Sequence, residues 1–397
     1  MAVIERDHHS TRVWKPDFTD LNVTIFSESP LSYGGGGERL ILLIHSYLKS
    51  KDITSKIVEN INRPDYKPTL QQNLDMNIVG IKFEQFGFIK FLYQKLPPLK
   101  SISNDESEIS LIFLRRVPPR SILRQLEKSN SKVIFCLHGI ALEKNRITNP
   151  IIILHQLLMR IQLRYLARYT RNHVFIQSLL PPLTSYLIEC GANQNNVFTI
   201  ENQLESEVVF PQRNDEEFQI TFIGRMEELQ KGIKRLKKVI LFVQKSGKNI
   251  KFNVIGKGRG AEILKRSNLN VKILNGIDDE RKNKIIASSN LALLTSNIEP
   301  FPLVVLEFLT SGVPVISTPA SGPAYIISKN KSFGKVVSFR AKLLADSIVS
   351  YYLEWEKDKE LYFSKRKDLY YEARKVFKTK NMLDSYREMI VQVRAKK

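Results

Sequence analysis

The stretch "LESEVVFPQRNDEEFQITFIGR" (204–225) decides whether this chain builds one sheet or two. Residues 204–218 break every apolar pattern with charges and one proline, as a connection does. The end, "FQITFIGR" (218–225), is rich in β-branched and aromatic residues and predicts a strand. Upstream, strand patterns fall at "LNVTIFSE" (21–28), "MNIVGIKF" (76–83), "EISLIFL" (108–114), "SKVIFCLHG" (131–139), "HVFIQS" (173–178) and "VFTIEN" (197–202). Helical patterns lie between them, the clearest at 37–50 and 151–169. Downstream the alternation restarts: helix 232–246, strands 250–258 and 270–276, helix 278–289, strand 291–296, helix 302–311, strand 314–319. Alternating strands and helices indicate parallel sheets wrapped by helices. The expectation is therefore an α/β chain of two Rossmann-like domains facing a central cleft. Its parts are a first domain 1–205, a linker 206–218, a second domain 219–380, and a helix 381–397 able to return to the first domain. The charge-alternating "SKRKDLYYEARKVFKTK" (364–380) reads as an exposed helix.

A chain of 397 residues exceeds one compact core, which agrees with two domains. Hydrophobic and charged contents of 43% and 25% are those of a soluble globular protein. No apolar run approaches the roughly 18 residues that cross a bilayer, and His155 and Gln156 interrupt "IIILHQLL" (151–158). The N-terminus lacks a signal peptide's apolar centre, so a cytoplasmic location is expected, with peripheral attachment to a membrane's cytoplasmic face as a further option. Cys136 and Cys190 cannot build a metal cage and read as reduced core residues. Net charge is +21, about +5 within 1–210 and about +16 beyond. Such an excess favours polyanions, or else only solubilises the surface.

Several segments fall where strands end, the place ligands occupy in open α/β sheets. "SPLSYGGGGERL" (29–40) follows a strand and opens a helix. Its glycines let backbone approach a ligand or adopt positive φ, and free N–H groups at the helix start favour an anionic or hydroxylated ligand. "FIGRMEELQKG" (222–232) is placed alike in the second half. Arg225 and Lys231 there can neutralise a diphosphate. "VIGKGRGA" (254–261) formally fits the dinucleotide fingerprint. However, the next strand ends in Asn275 and Gly276 without an acidic residue for a ribose, which argues against a nicotinamide enzyme. His138 in "CLHG" (136–139) ends a strand facing the same cleft, as a substrate contact or a structural histidine. The chain has no G-x-S-x-G elbow, no G-x-x-x-x-G-K-[ST] loop, no H-E-x-x-H and no D-x-D clamp.

"EPFPLVVLE" (299–307) sets two carboxylates eight positions apart around a helix start. Pro302 suits the first turn, where a missing N–H costs nothing. Glu299 lies in the loop before it, and Glu307 is expected two turns inside. Flanked by "VVL" and "FL", Glu307 sits where a charge needs a partner. Carboxylates on both sides of an anion-binding helix start fit a ligand with hydroxyls at each end and phosphates between. A nucleotide sugar has that shape.

"FIGRMEELQKGIKRL", "FNVIGKGRG", "NGIDDERKNKIIASSNLALLTSNIEPFPLVVLEFLTSGVPVIST" and "YGGGGERLILLIHSYL" together resemble the GT-B glycosyltransferases of family 4, in order from about 21 to 330. The E-x7-E segment with "SGVPVIST" is the most specific part. That resemblance implies a retaining, metal-independent hexosyltransferase-type enzyme, with a nucleotide-diphosphate sugar as substrate and no resident cofactor. It implies that Arg225 and Lys231 hold the diphosphate, Glu307 the ribose, and Glu299 with the backbone of Phe301, Pro302 and Leu303 the donor sugar. Gly35 and Gly36 would lie against the diphosphate, His138 against the sugar, and Gly276 and Ile277 against the base. The family's "PNG" before the linker stands here as "IEN" (200–202). The acceptor would be a glycan or lipid-linked hydroxyl, and an anionic membrane surface is a candidate partner; nucleic acid is not expected. The rival reading is a basic scaffold bound to membrane or nucleic acid with a vestigial cleft. It draws on the net charge and on the basic amphipathic "LLMRIQLRYLARYTR" (157–171).

Overall fold

The computed structural model describes residues 21–33, 35–61, 77–82, 84–86, 94–96, 108–126, 132–143, 149–170, 174–203 and 210–396. His173, residues 204–205 and residues 206–209 of the expected linker lie outside these. The first half contains β1 (Asn22–Ser27), α1 (Gly36–Lys49), β2 (Thr54–Asn60), β3 (Ile78–Ile81), β4 (Glu84–Phe86), β5 (Gln94–Leu96), β6 (Ile109–Phe113), α2 (Arg120–Leu126), β7 (Lys132–Cys136), α3 (Pro150–Arg168), β8 (Val174–Ser178), α4 (Pro181–Glu189) and β9 (Val197–Thr199). Seven of these strands form a parallel sheet in the order β3-β2-β1-β6-β7-β8-β9, while β4 and β5 pair antiparallel apart from it. The chain winds outward from β1 on one side and from β6 on the other. The reversal between them opens a crevice at the strands' carboxyl ends.

The strand β2 was not expected from the sequence. "TSKIVEN" carries Lys56 and Glu59, charges that a buried parallel strand usually lacks. Glu59 is buried, and its carboxylate accepts the Leu31 N–H at 2.7 Å, so it serves the turn after β1.

The second half contains β10 (Phe218–Ile223), α5 (Glu228–Lys231), α6 (Ile233–Lys245), β11 (Ile250–Ile255), α7 (Arg259–Lys265), β12 (Val271–Leu274), α8 (Asp279–Ser288), β13 (Leu291–Leu294), α9 (Leu303–Leu309), β14 (Val315–Ser317), α10 (Ser321–Ser328), β15 (Gly334–Val336), α11 (Ala341–Lys357), α12 (Lys359–Val376) and α13 (Thr379–Ala395). Its parallel sheet runs β12-β11-β10-β13-β14-β15, with the reversal between β10 and β13. The loops leaving those two strands, 224–232 and 295–302, therefore meet at a switch point, and they hold the residues that the sequence singles out. The last helix, α13, packs Met382, Tyr386, Met389, Ile390 and Val393 into the first domain's core beside β1 and α1.

The helix expected to be exposed is not. α12 buries Tyr362, Leu369, Tyr370 and Ala373, because its polar residues interleave with an apolar stripe. Arg366 is itself only 2% exposed. It donates to the carbonyls of Gly312 (3.0 Å), Gln212 (3.0 Å) and Ala287 (2.9 Å). Burial pulls its guanidinium down to about 10. One side chain thus ties the linker, the end of α8 and the turn before β14. Replacing Arg366 by leucine strands three carbonyls and should cost about 3–5 kcal/mol of stability, to be read from denaturant midpoints.

Candidate functional site

The formal dinucleotide fingerprint in "VIGKGRGA" serves packing. Gly256 has φ +152°, and a Cβ there would lie 1.9 Å from the Gly224 carbonyl oxygen. The Gly258–Gly260 turn likewise presses on Met226, whose N–H donates to Lys257 O at 2.8 Å. These glycines let the loop after β11 support the loop after β10, which carries the candidate cations.

That second loop is fastened to the loop after β13. Gly232 has φ +64°, as the left-handed end of α5 requires, and a Cβ on it would strike Thr295 O at 2.4 Å. Thr295 Oγ1 donates to Lys231 O (2.8 Å), and Asn297 N donates to Gln230 O (2.7 Å). The fastening brings Lys231 against Glu299 in a buried ion pair, at 8% and 6% exposure. Ser296 Oγ also donates to Glu299 Oε2 at 3.1 Å. Lys231 stands just before α6, as expected, and is also the last residue of the short α5, fixed there by Gly232. Arg225 is not brought to this pair. It is exposed and donates to Gln230 Oε1 at 3.0 Å.

Phe301 is buried, and Pro302 caps α9 from outside it instead of opening its first turn. α9 has 7 residues, so Glu307 is little more than one turn in, not two. Its charge has the partners its apolar flanks demand. Arg39 Nη1 and Lys282 Nζ each lie 2.9 Å from Glu307 Oε1. Arg39 pairs with Asp279 as well, and Lys282 Nζ is 3.0 Å from that carboxylate. The sequence reading missed Arg39, Asp279 and Lys282. Arg39 is especially informative, because it crosses from α1 of the first domain. The burial of Glu307 was the available signal, but nothing in one dimension says which of many cations answers it.

The glycine loop lies against the same place. A Cβ on Gly36 would be 3.0 Å from Leu303 Cδ1, and one on Gly35 would be 2.5 Å from the Glu38 carboxylate. Close approach, not positive φ, is what these positions use: Gly35 caps α1 at φ −72°. Gly276, at φ +68°, ends β12 at the rim with Ile277 half-buried beside it.

His138 is anchored by Gln177 and Tyr386. Gln177 Nε2 donates to Ser178 O and Ile200 O, so Gln177 Oε1 is the acceptor facing His138 Nε2 at 3.1 Å. Nε2 therefore carries the proton, with Tyr386 Oη 2.9 Å away, and Nδ1 is the basic nitrogen. Burial pushes the imidazole down to about 3, so it is neutral in ordinary conditions.

The sequence reading also missed Glu143, on the first-domain segment after β7. It is 6% exposed and reaches across the cleft. Its carboxylate accepts from Ser321 N (2.8 Å), Ser321 Oγ (3.2 Å) and Glu299 N (3.2 Å). Burial pushes its carboxyl from 4.5 up to about 7, against the three hydrogen bonds and with a contribution from the Glu299 charge. Between those values the folded chain binds the proton that the unfolded chain has released. Stability is thus favoured below pH 4.5 and lost as pH rises through about 7, by on the order of 3 kcal/mol. Glu143→Gln should flatten this part of the profile, seen as the wild-type-minus-variant difference in unfolding free energy across that window.

Residues 205–376 match the family model described as Glycosyl transferases group 1. A curated phosphatidyl-myo-inositol mannosyltransferase from Propionibacterium freudenreichii subsp. shermanii is 32% identical over 99 residues, which is 25% of each chain. The match thus spans about a quarter of that relative's length. Among solved structures, sucrose-phosphate synthase from Thermosynechococcus elongatus superposes with TM-score 0.71 at 15% identity, covering 95% of this chain and 100% of its own. HepE from Anabaena, in complex with UDP and glucose, gives 0.68 at 15% identity over 94% and 99%. TarM gives 0.66 at 13% identity over 94% and 99%. The fold is GT-B: two Rossmann-like domains around a cleft, as the sequence led one to expect.

Proposed function

We propose that this chain is a retaining glycosyltransferase of GT-B family 4, moving a hexosyl group from a nucleotide-diphosphate sugar to a hydroxyl of a glycan or lipid-linked acceptor. The observation that carries this reading is the pairing of both E-x7-E carboxylates with cations at the second sheet's switch point: Glu299 with Lys231, and Glu307 with Lys282 and Arg39. In this reading Glu307 takes the ribose hydroxyls, and Glu299 with the backbone of 301–303 takes the sugar. Gly35 and Gly36 admit the diphosphate, and Gly276 and Ile277 border the base. Lys231 and Arg225 meet the charge that grows on the departing nucleoside diphosphate, which lowers the barrier because it is strongest in the transition state. These cations do the neutralising, so the reading needs neither divalent metal nor cofactor. Among the described residues this reading assigns no carboxylate as a covalent nucleophile, so the acceptor attacks the face the leaving group quits, and the leaving phosphate takes its proton. His138, neutral, offers Nδ1 to the sugar. Interdomain contacts through Glu143 and Arg39 exclude water that would otherwise hydrolyse the donor.

Support for the donor class comes from solved relatives whose complexes hold UDP and glucose or UDP. Support for a lipid-linked acceptor comes from the curated relative's name, phosphatidyl-myo-inositol mannosyltransferase; in this reading the acceptor is met at the cytoplasmic face of a membrane. Among the described residues no helix is long and apolar enough to cross a membrane, so attachment in this reading is peripheral. A thermal-shift screen against UDP, GDP and ADP tests it. At about 100 times its Kd the correct nucleotide should stabilise the fold by about 2.7 kcal/mol. Failure of all three to shift the melting temperature overturns the proposal.

A further inference from the structure

The side of the first domain formed by α2 and α3 does not take part in the site above. α3 buries Ile152, Gln156, Met159, Leu163 and Leu166, as a surface helix should. Its opposite side is not polar. Ile151, Ile153, Leu154, Leu157 and Ile161 are 54, 52, 47, 54 and 40% exposed. Along that outer side the apolar residues give way to exposed Arg164 and Arg168 at helical spacing. Residues 115–126 and 149–170 together contain seven arginines and neither Asp nor Glu. Solvent would not favour this combination on an ordinary surface, where single apolar residues are scattered among both signs of charge.

Between the two segments lies a small pocket of about 50 Å³, open to solvent and lined by Arg115, Arg116, Gly139, His155, Met159 and Gln162. Gly139 follows His138 at the carboxyl end of β7, so the pocket lies toward the cleft. His155 Nδ1 is buried there without a hydrogen-bond partner among the described residues. Arg115 pairs with Glu38, and the charge of Glu28 acts on Arg116.

We infer that the outer face of α3, with the arginines of α2, docks on an anionic phospholipid leaflet, and that the adjoining pocket receives the headgroup of the lipid-linked acceptor. The inference rests on the acceptor reading above and gives it a place. An amphipathic helix lying in the interface buries its aliphatic side among acyl chains, while arginines meet the headgroups. A neutral protein partner would satisfy the aliphatic residues but not the exposed guanidinium groups of Arg120, Arg124, Arg164 and Arg168, which favours the leaflet.

The test is flotation with vesicles of equal parts phosphatidylglycerol and phosphatidylcholine, against vesicles of phosphatidylcholine alone. Wild type should float with the anionic vesicles only, and less so as salt rises. Replacing Ile153, Leu157 and Ile161 together by serine should weaken partition about tenfold or more. Arg164→Gln with Arg168→Gln should weaken it roughly thirtyfold. Both variants change exposed positions, and an unaltered nucleotide-induced thermal shift verifies that each is folded. Vesicle binding needs no donor, so it is read independently of the transferase assignment. Absence of wild-type flotation, or equal flotation of wild type and both variants, overturns the inference.

Discussion

Replacing Lys231 by alanine is expected to lower sugar transfer about 100- to 1000-fold. Gly232 and Thr295 fasten the Lys231 backbone and Glu299 pairs with its ammonium, so in the proposed reading the charge is held in place at the diphosphate. It is also 8% exposed, where a charge acts through little water and is worth more than on the surface. Arg225, whose side chain is 60% exposed, should matter less on replacement. The same change leaves Glu299 buried without its cation, a loss of about 3–5 kcal/mol in stability that could itself depress activity. Lys231→Met combined with Glu299→Gln separates the two effects, because it removes both charges. The double variant should regain most of the unfolding free energy and none of the turnover. Recovery of transfer in it would show that the pair holds the fold and does no chemistry.

Much of this was legible in one dimension, for definable reasons. Strands buried on both faces read as apolar runs, and the linker's charges divided them correctly into two sheets. The E-x7-E segment is local, so its carboxylates and the short loop to Lys231 could be found by spacing. What escaped came from contacts between distant segments. Arg39 and Glu307 are 268 positions apart, and Glu143 and Ser321 are 178. Neither pairing leaves a local trace. The strand β2 escaped because Glu59 answers a backbone N–H instead of the sheet's apolar pattern. The burial of α12 escaped because Arg366 is buried by donating to three carbonyls that come from distant parts of the chain.

Glu307→Gln should weaken nucleoside diphosphate binding about 10- to 100-fold, since a hydrogen bond to a charged group contributes about 1.5–3 kcal/mol. The geometry separates two explanations for such a loss. Arg39 and Lys282 both hold Oε1, and among the described residues no bond is made to Oε2. A ribose hydroxyl can therefore donate to Oε2 while both cations stay in place and orient the carboxylate. Arg39→Ala then removes one contact between domains but leaves Glu307 held by Lys282, so nucleotide affinity should change little while transfer falls with weaker closure. A calorimetric titration of both variants with the nucleotide chosen by thermal shift distinguishes the cases. If affinity falls equally in the two, Glu307 acts only as a bridge between domains, and the ribose must be held elsewhere.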